Sequence, residues 1–484
     1  MAFGNNENLA VDKTAKASKV VTVMAGLIAG LCLIQLLNLS WLAAELMLIA
    51  AILLIISFEG YRIWLVLLFA TTLSGFMYVL NGRHIRPDQM IVIVMMIGWV
   101  SSFATGKVKL QKLPLFLPIF LFLADNFLST LFAPGHKGSY QDSLLLGLYI
   151  TMYFLTVNAL QNHPDKLKAS VKAFLVIGTV QAIYALAAFV GDRAGLNLGG
   201  VSHSQFYGAA SLRGGFQEPN FLGAFEAVVG LMFLSFLTAK VKVKKGTFVF
   251  GLILVLMALI LSFTRAAWLA FAVGLFMLLF IQKPVRNFFN PRAAFVVVVL
   301  AAGVLFAVIP FANNLTSGNI SKRIEEGLTY SNGSGATRAK VQDLAVQDWR
   351  GSELFGNGTM SLDTTSFYNG ASLELKETAK GWVYSSLLQA LHDTGIIGLF
   401  LYLWIEVGIL AVVVRGYRKA RDSFYRAALA GFTISSIAIF IASQASSFMW
   451  LGFFWIFSGL AVSVALEASR RPEGKTETSG SKIA

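Results

Sequence analysis

The chain has 484 residues, of which 56% are hydrophobic and 13% charged, with a mean hydropathy of +0.69. That composition excludes a water-soluble globular protein, and a single cysteine, Cys32, excludes an internal disulfide framework. The net charge of +14 would suit nucleic acid, but in so apolar a chain a positive-inside bias accounts for it if the basic residues fall on alternate loops.

The first 19 residues are polar, carry Lys13, Lys16 and Lys19, and precede an apolar run too long for a signal-peptide core. They are expected to form a cytoplasmic tail ahead of an uncleaved span. Runs of roughly 18 or more apolar residues are long enough to cross a bilayer core. Such runs lie near 20–38, 41–58, 62–80, 89–105, 114–133, 142–161, 169–190, 219–238, 246–263, 265–281, 293–311, 396–414, 427–446 and 449–467. The expected fold is therefore an all-α polytopic membrane protein with about 14 transmembrane helices, in the range of roughly 12–14. The first four spans carry few polar residues and are expected to serve as scaffold. No internal repeat is visible.

With the N-terminus in the cytoplasm, 26 Lys and Arg fall on the inner side and 13 outside, or 6 outside once the long polar loop is set apart. That asymmetry predicts both tails inside and the loop outside. The expected organisation is an N-tail (1–19), spans 1–11 (20–311), an extracytoplasmic or periplasmic loop domain between spans 11 and 12 (312–381), spans 12–14 (382–468), and a cytoplasmic C-tail (469–484). The C-tail is short, charged and rich in Gly, Ser and Lys, a composition that favours disorder.

The loop from about Asn313 to Lys380 holds eight acids and seven bases and is the only long polar segment between hydrophobic runs. Connections of that length are functional or disordered. Its middle favours order. Ser334 or Thr337 can cap a helix whose apolar positions Val341, Leu344, Ala345 and Trp349 recur at helical spacing. Gly351 and then Phe355-Gly356-Asn357-Gly358 would end that helix and turn the chain.

Two arginines outside this loop stand at unusual places on the expected outer face. Arg213 lies in Leu212-Arg213-Gly214-Gly215-Phe216-Gln217-Glu218-Pro219-Asn220, just before a span. Arg265 lies in the tight turn Ser262-Phe263-Thr264-Arg265-Ala266-Ala267-Trp268. Helices that start at the outer face turn free N–H groups and positive dipole ends outward, and an arginine there completes an anion site. Arg338 adds a third charge near the start of the loop helix. The plainer alternatives are an interfacial anchor for Arg265, a solvated loop charge for Arg213, and an ordinary turn for Gly214-Gly215.

These motifs, in this order, resemble the O-antigen ligase/polymerase family of bacterial membrane glycosyltransferases, which act on undecaprenyl-diphosphate-linked sugars. The resemblance covers roughly 205–410. It rests on the Arg213–Asn220 turn, the Ser262–Trp268 turn, and Ser334-Gly335 with Arg338 followed by Trp349. Phe355–Gly358 and Thr394-Gly395-Ile396-Ile397-Gly398-Leu399 complete it. It implies that Arg213, Arg265 and Arg338 hold the donor diphosphate, with Gly214, Gly215, Asn220, Trp268, Trp349 and Tyr384 around the substrate. Many members carry a His-Asn, whose histidine is proposed to be catalytic, about eleven residues before the glycine that Gly395 matches. Here Tyr384-Ser385 stands at that place, and the nearest histidine is His392, about 80° round the helix and 12 Å along it.

The implied chemistry is attack by an acceptor sugar hydroxyl on the anomeric carbon while diphosphate leaves, with arginines stabilising the departing charge. No metal or other cofactor is expected, since the chain has no Asp-x-Asp pair. Candidate bases are Glu218, His392, Asp348, Glu374 and Glu377, although Glu218 could equally be a helix cap. The implied partners are an undecaprenyl-diphosphate-linked glycan donor, a sugar acceptor that is a lipid-linked glycan or lipid A core, and membrane lipid. Nucleic acid is not among them. The expected location is the bacterial inner membrane. Asp125, Asn126, Glu226 and Glu406 interrupt apolar runs and would either line a cavity or bond between helices. The competing assignment is a multi-span transporter or flippase of lipid-linked sugars, which should show paired broken helices related by an internal repeat.

Overall fold

A computed structural model describes residues 60–80, 83–133, 138–203, 210–239, 241–281, 334–364 and 380–470. Within them the chain is a bundle of helices. These are α1 (Gly60–Ala70), α2 (Pro87–Ala104), α3 (Phe116–Phe132), α4 (Tyr140–Asn162), α5 (Leu167–Arg193), α6 (Pro219–Thr238), α7 (Lys245–Leu261) and α8 (Arg265–Ile281). After an undescribed stretch come α9 (Ser334–Trp349), α10 (Ser386–Lys419), α11 (Ser423–Ala442) and α12 (Gly452–Arg470). Seven described helical segments are long and apolar enough to cross a membrane, and four shorter apolar helices join them. The protein is a mostly helical, polytopic membrane protein. The expected spans at 20–38, 41–58 and 293–311, the N-tail, and the C-tail from 471 onward lie outside the described residues, while Ser469 and Arg470 end α12.

Local chemistry sets several helix ends. Pro219 opens α6 at its first turn, where a missing N–H costs nothing. Ser139 caps α4 by accepting from Asp142 N–H at 3.1 Å, and Asp422 caps α11 by accepting from Phe424 and Tyr425 N–H. α6 and α12 are apolar on all faces and almost fully enclosed. Their aromatic side chains knit the centre, with Phe225 touching Phe174, Phe216 and Phe453. α2 leaves Ile93, Ile97, Val100 and Phe103 bare, as a lipid-facing helix would.

The helix apolar run near 62–80 is shorter than its composition suggests. α1 passes into a 3-10 turn at Thr71–Leu73, and Tyr78–Leu80 (β1) pairs with Arg83–Ile85 (β2) in a hairpin. Gly75 causes the break: its N–H donates to Gly215 O at 2.8 Å, and its α-carbon lies against the Phe216 carbonyl. A second hairpin joins Val201–His203 (β3) to Ala210–Leu212 (β4) ahead of Arg213. These two small hairpins are departures from the expected all-helical chain.

The bundle has two chemically different ends. At one end Lys168 pairs with Asp422 at 2.9 Å, Arg470 donates to Gln161 at 2.7 Å, and the Lys109 backbone bonds to Asn162. At the other end lie the hairpins, the 262–265 turn, α9 with the segment after it, and the 443–451 loop.

Candidate active site

α9 is the helix expected in the long loop, running from Ser334 to Trp349, and with the segment after it forms a small cap against α10. Val341 and Ala345 are buried with Leu362 and Val383, while Leu344, Tyr384 and Leu388 pack around them. The Trp349 indole N–H donates to Glu353 O at 3.1 Å and closes the turn after the helix. Arg338 stacks on the Tyr384 ring at 5.2 Å, so cap and α10 meet through a cation–π contact. Tyr384 itself sits at φ 60°, a left-handed conformation unusual for a tyrosine, and its carbonyl accepts from Gln342 at 3.1 Å.

α10 begins at Ser386, some ten residues before the expected span, and kinks at Gly395 (φ 66°, ψ −163°). The kink interlocks with Phe355–Gly358. A Cβ on Gly356 would lie 2.5 Å from the Asp393 carbonyl carbon and from the Thr394 and Gly395 nitrogens, and one on Gly395 would strike the Leu354 carbonyl. Both glycines also hold positive φ. Close backbone approach, then, is what the Gly-x-Gly and Thr-Gly motifs supply here. Asn357 and Gly358 N–H donate to the carbonyls of His392 and Asp393 at 2.8 and 3.0 Å. Gly358 N–H also donates to Ser129 Oγ at 3.1 Å, and Thr359 bonds to Thr130 and Asn126, fixing the cap to α3.

His392 is buried, and both ring nitrogens face carboxylates: Nδ1 to Asp393 Oδ1 at 2.9 Å and Nε2 to Asp348 Oδ2 at 3.0 Å. A neutral imidazole has one N–H, so only the imidazolium can donate to both acids. The second Asp393 oxygen accepts from Gln389 Nε2 at 2.9 Å and Met360 N–H at 3.1 Å. His392 therefore ties cap to α10. Asp393 and Gln389, which sequence inspection passed over, are the hub of that tie; the only signal for them is their i, i+4 spacing beside His392.

Arg213 is mostly buried and donates through Nη1 to Phe216 O at 3.1 Å. Burial pulls its guanidinium below the ordinary arginine value. Gly214 (φ 55°) and Gly215 sit in the same turn, enclosed by Gln181 and Thr72, with Gln181 Oε1 accepting from Gly215 N–H at 3.1 Å. Glu218 precedes α6, but its side chain does not cap the helix; Oε2 accepts from Asn220 Nδ2 at 3.3 Å instead. Arg265 opens α8 beside this turn, because Thr264 Oγ1 donates to Pro219 O at 3.1 Å. The Trp268 indole donates to Leu259 O at 3.0 Å and braces the α7–α8 turn. Arg213, Arg265 and Arg338 thus share one end of the bundle. Arg213 and Arg265 flank the start of α6, and Arg338 belongs to the cap with His392 and Tyr384. Among the described residues no group of three or more His, Cys, Asp or Glu side chains is placed to hold a metal ion. Glu374 and Glu377 lie outside the described residues.

Residues 250–403 match the family model described as O-antigen ligase. That stretch is similar to O-antigen ligase family domains. It runs through α7, α8, the cap and the kinked start of α10, about a third of the chain, and supports a membrane glycosyltransferase of the ligase and polymerase kind. No curated protein matches the chain. The O-antigen ligase match contains Arg265, Trp268, Arg338, Trp349, Tyr384 and His392; the Arg213–Asn220 turn precedes it, although it packs against the 262–265 turn.

Of the polar residues within spans, Glu406 accepts from Tyr402 on its own helix at 2.7 Å. Asn126 bonds to Thr359 of the cap segment at 3.3 Å. Asp125 Oδ2 and both Glu226 carboxylate oxygens are buried without a hydrogen-bond partner among the described residues.

Proposed function

We propose that the protein transfers or polymerises undecaprenyl-diphosphate-linked oligosaccharide on the outer face of the bacterial inner membrane, the cap end facing outward. The observation that carries this is Arg213: a mostly buried guanidinium whose side-chain bond among the described residues is to a carbonyl, across the start of α6 from Arg265. Burying a cation is costly unless an anion compensates it. A diphosphate between Arg213 and the N-terminus of α8 would supply that anion, with Arg265 and the free N–H groups of α8 on its other side.

In this mechanism an acceptor hydroxyl oxygen bonds to the anomeric carbon as the carbon–oxygen bond to diphosphate breaks. The hydroxyl proton passes to a base, and the bonding pair leaves on the diphosphate, whose charge the arginines stabilise. Glu218 is the base the geometry favours, because its carboxylate is not spent on capping and lies five residues from Arg213. His392, held by two acids and buried, has no free nitrogen to offer a substrate in this arrangement; it holds the cap to α10. The reaction needs no divalent metal in this scheme. Purified protein should therefore keep its product formation in EDTA. Complete loss that Mg²⁺ or Mn²⁺ restores would overturn the arginine mechanism.

A further inference from the structure

We propose that the turn after α9 is a membrane anchor of the cap, a wedge whose Leu354 and Phe355 side chains sit in the bilayer leaflet at that end of the bundle. The anchor goes beyond the reaction proposed above and does not depend on it.

Both side chains are bare, Leu354 at 59% and Phe355 at 48% exposure. They cannot turn inward without breaking a backbone that is sewn into the kink of α10. Glu353 O accepts from Ile396 N–H at 2.9 Å and Leu354 O from Ile397 N–H at 3.5 Å, while Asn357 and Gly358 N–H donate to the carbonyls of His392 and Asp393. The segment therefore serves both halves of α10 where Gly395 interrupts the helical ladder. Gly356 and Gly395 approach so closely that a Cβ on either would strike the other's backbone nitrogen. The exposure of Leu354 and Phe355 is thus a fixed property of the turn.

The surroundings name the occupant. On one side Gly358 abuts Ala133, at the end of α3, where Leu128 and Phe132 are bare one helical turn apart. On the other side Ile397, Phe400 and Trp404 are bare at helical spacing along α10. α10 is long and apolar enough to cross a membrane, and α3 is a shorter apolar helix packed on it. Their bare stripes are lipid-facing surface, and the wedge lies between the places where the two stripes end. Bare apolar side chains continuous with such a surface extend it. The charged neighbours Arg350 and Glu353 are exposed and can keep their heads among the headgroups. Bilayer lipid is the occupant that this continuity selects, and it would hold α9, with Arg338, at a constant depth beside the headgroup layer.

The test uses the full-length chain with Cys32→Ser, in nanodiscs of phosphatidylethanolamine and phosphatidylglycerol alone. Leu354→Cys and Phe355→Cys carry a spin label, with Phe400→Cys as the lipid reference and Asp343→Cys, on the exposed side of α9, as the water reference. At Leu354 and Phe355, collisions with dissolved oxygen should exceed those with a water-soluble nickel chelate, as at Phe400. An excess of chelate collisions, as at Asp343, would overturn the anchor, and low access to both reagents would overturn it in favour of a protein cover. A second measurement keeps the native side chains. Unmodified protein is irradiated with a phospholipid bearing a diazirine on its acyl chain near the glycerol, and adducts are mapped by mass. The peptide following Arg350 should be labelled together with the one containing Phe400. Labelling at Phe400 alone would overturn the anchor. Labelling after Arg350 that appears only once undecaprenyl diphosphate is added would overturn it too, and assign the wedge to the tail of a lipid-linked substrate.

Discussion

Replacing Arg213 separates a diphosphate ligand from a structural arginine, because the two roles predict opposite balances of activity and stability. The side chain is mostly buried, with one bond to Phe216 O at 3.1 Å. Arg213→Met removes that bond, worth about 1 kcal/mol net, and also removes the cost of desolvating a cation that no carboxylate among the described residues pairs. The melting temperature should therefore hold or rise, with unfolding free energy within about 1 kcal/mol of wild type. Activity should behave differently. Losing one preorganised contact to a developing anion costs about 3–4 kcal/mol of barrier, or roughly 10²–10³ in rate. Arg213→Lys should share most of that loss, since an ammonium cannot reproduce the bidentate fork. The assay is product formation from glycan-linked lipid by proteins matched for folded fraction, with thermal unfolding measured in parallel. A lysine variant with wild-type activity, or a methionine variant whose activity falls only as its folded fraction falls, would refute the reasoning.

Other consequences are open to direct measurement. In a Cys32-free background, Asp343→Cys on the exposed side of the cap should be labelled by an impermeant thiol reagent on intact cells, and Lys107→Cys should not; the reverse pattern would invert the topology. His392→Ala leaves the buried Asp393 without its imidazolium and releases the exposed Asp348 to solvent, a change that costs on the order of 3 kcal/mol, the lower end for a buried pair. Tryptic cleavage after the exposed Arg350 should accelerate more than about tenfold, and an unchanged rate would remove His392 from the cap tie. At the opposite end, burial raises Asp422, but Lys168 at 2.9 Å and the Tyr425 and Phe424 N–H groups outweigh it and hold the carboxyl below its usual range. Its stabilising contribution is present above the ordinary aspartate pKa and is lost as pH falls through the depressed one. The melting-temperature difference between wild type and Asp422→Asn should be full at pH 7 and shrink as pH falls below the ordinary aspartate range through the depressed pKa; a constant difference would contradict the linkage.

Much of this architecture was legible because lipid imposes a simple rule on sequence. The run at 219–238 coincides with α6, and that at 265–281 with α8, since Pro219 and the polar 262–264 turn mark their starts. The cap helix was equally plain from the spacing of Val341 and Ala345. Hydropathy could not end α1 at Leu73, because the cause is contact between Gly75 and the 213–216 turn, some 140 residues away in sequence. It likewise placed the start after the loop at Ile396, since the residues from Ser386 to Thr394 are polar enough to read as loop until Gln389, His392 and Asp393 find partners. The arginines stood out as charges at helix starts. Asp393 and Gln389 did not, because their importance lies in contacts between distant segments and no local pattern encodes those.

The central claim is that this chain joins a lipid-linked glycan to an acceptor without a nucleotide sugar. Purified protein in lipid, given undecaprenyl-diphosphate-linked oligosaccharide as sole substrate and followed by mass analysis of the lipid-linked products, tests that claim most directly. The account predicts longer glycans together with release of undecaprenyl diphosphate, both abolished or reduced roughly 10²–10³-fold by Arg213→Lys and Arg265→Lys. Oligosaccharide of unchanged length, moved intact from one leaflet to the other, would contradict it and favour a flippase.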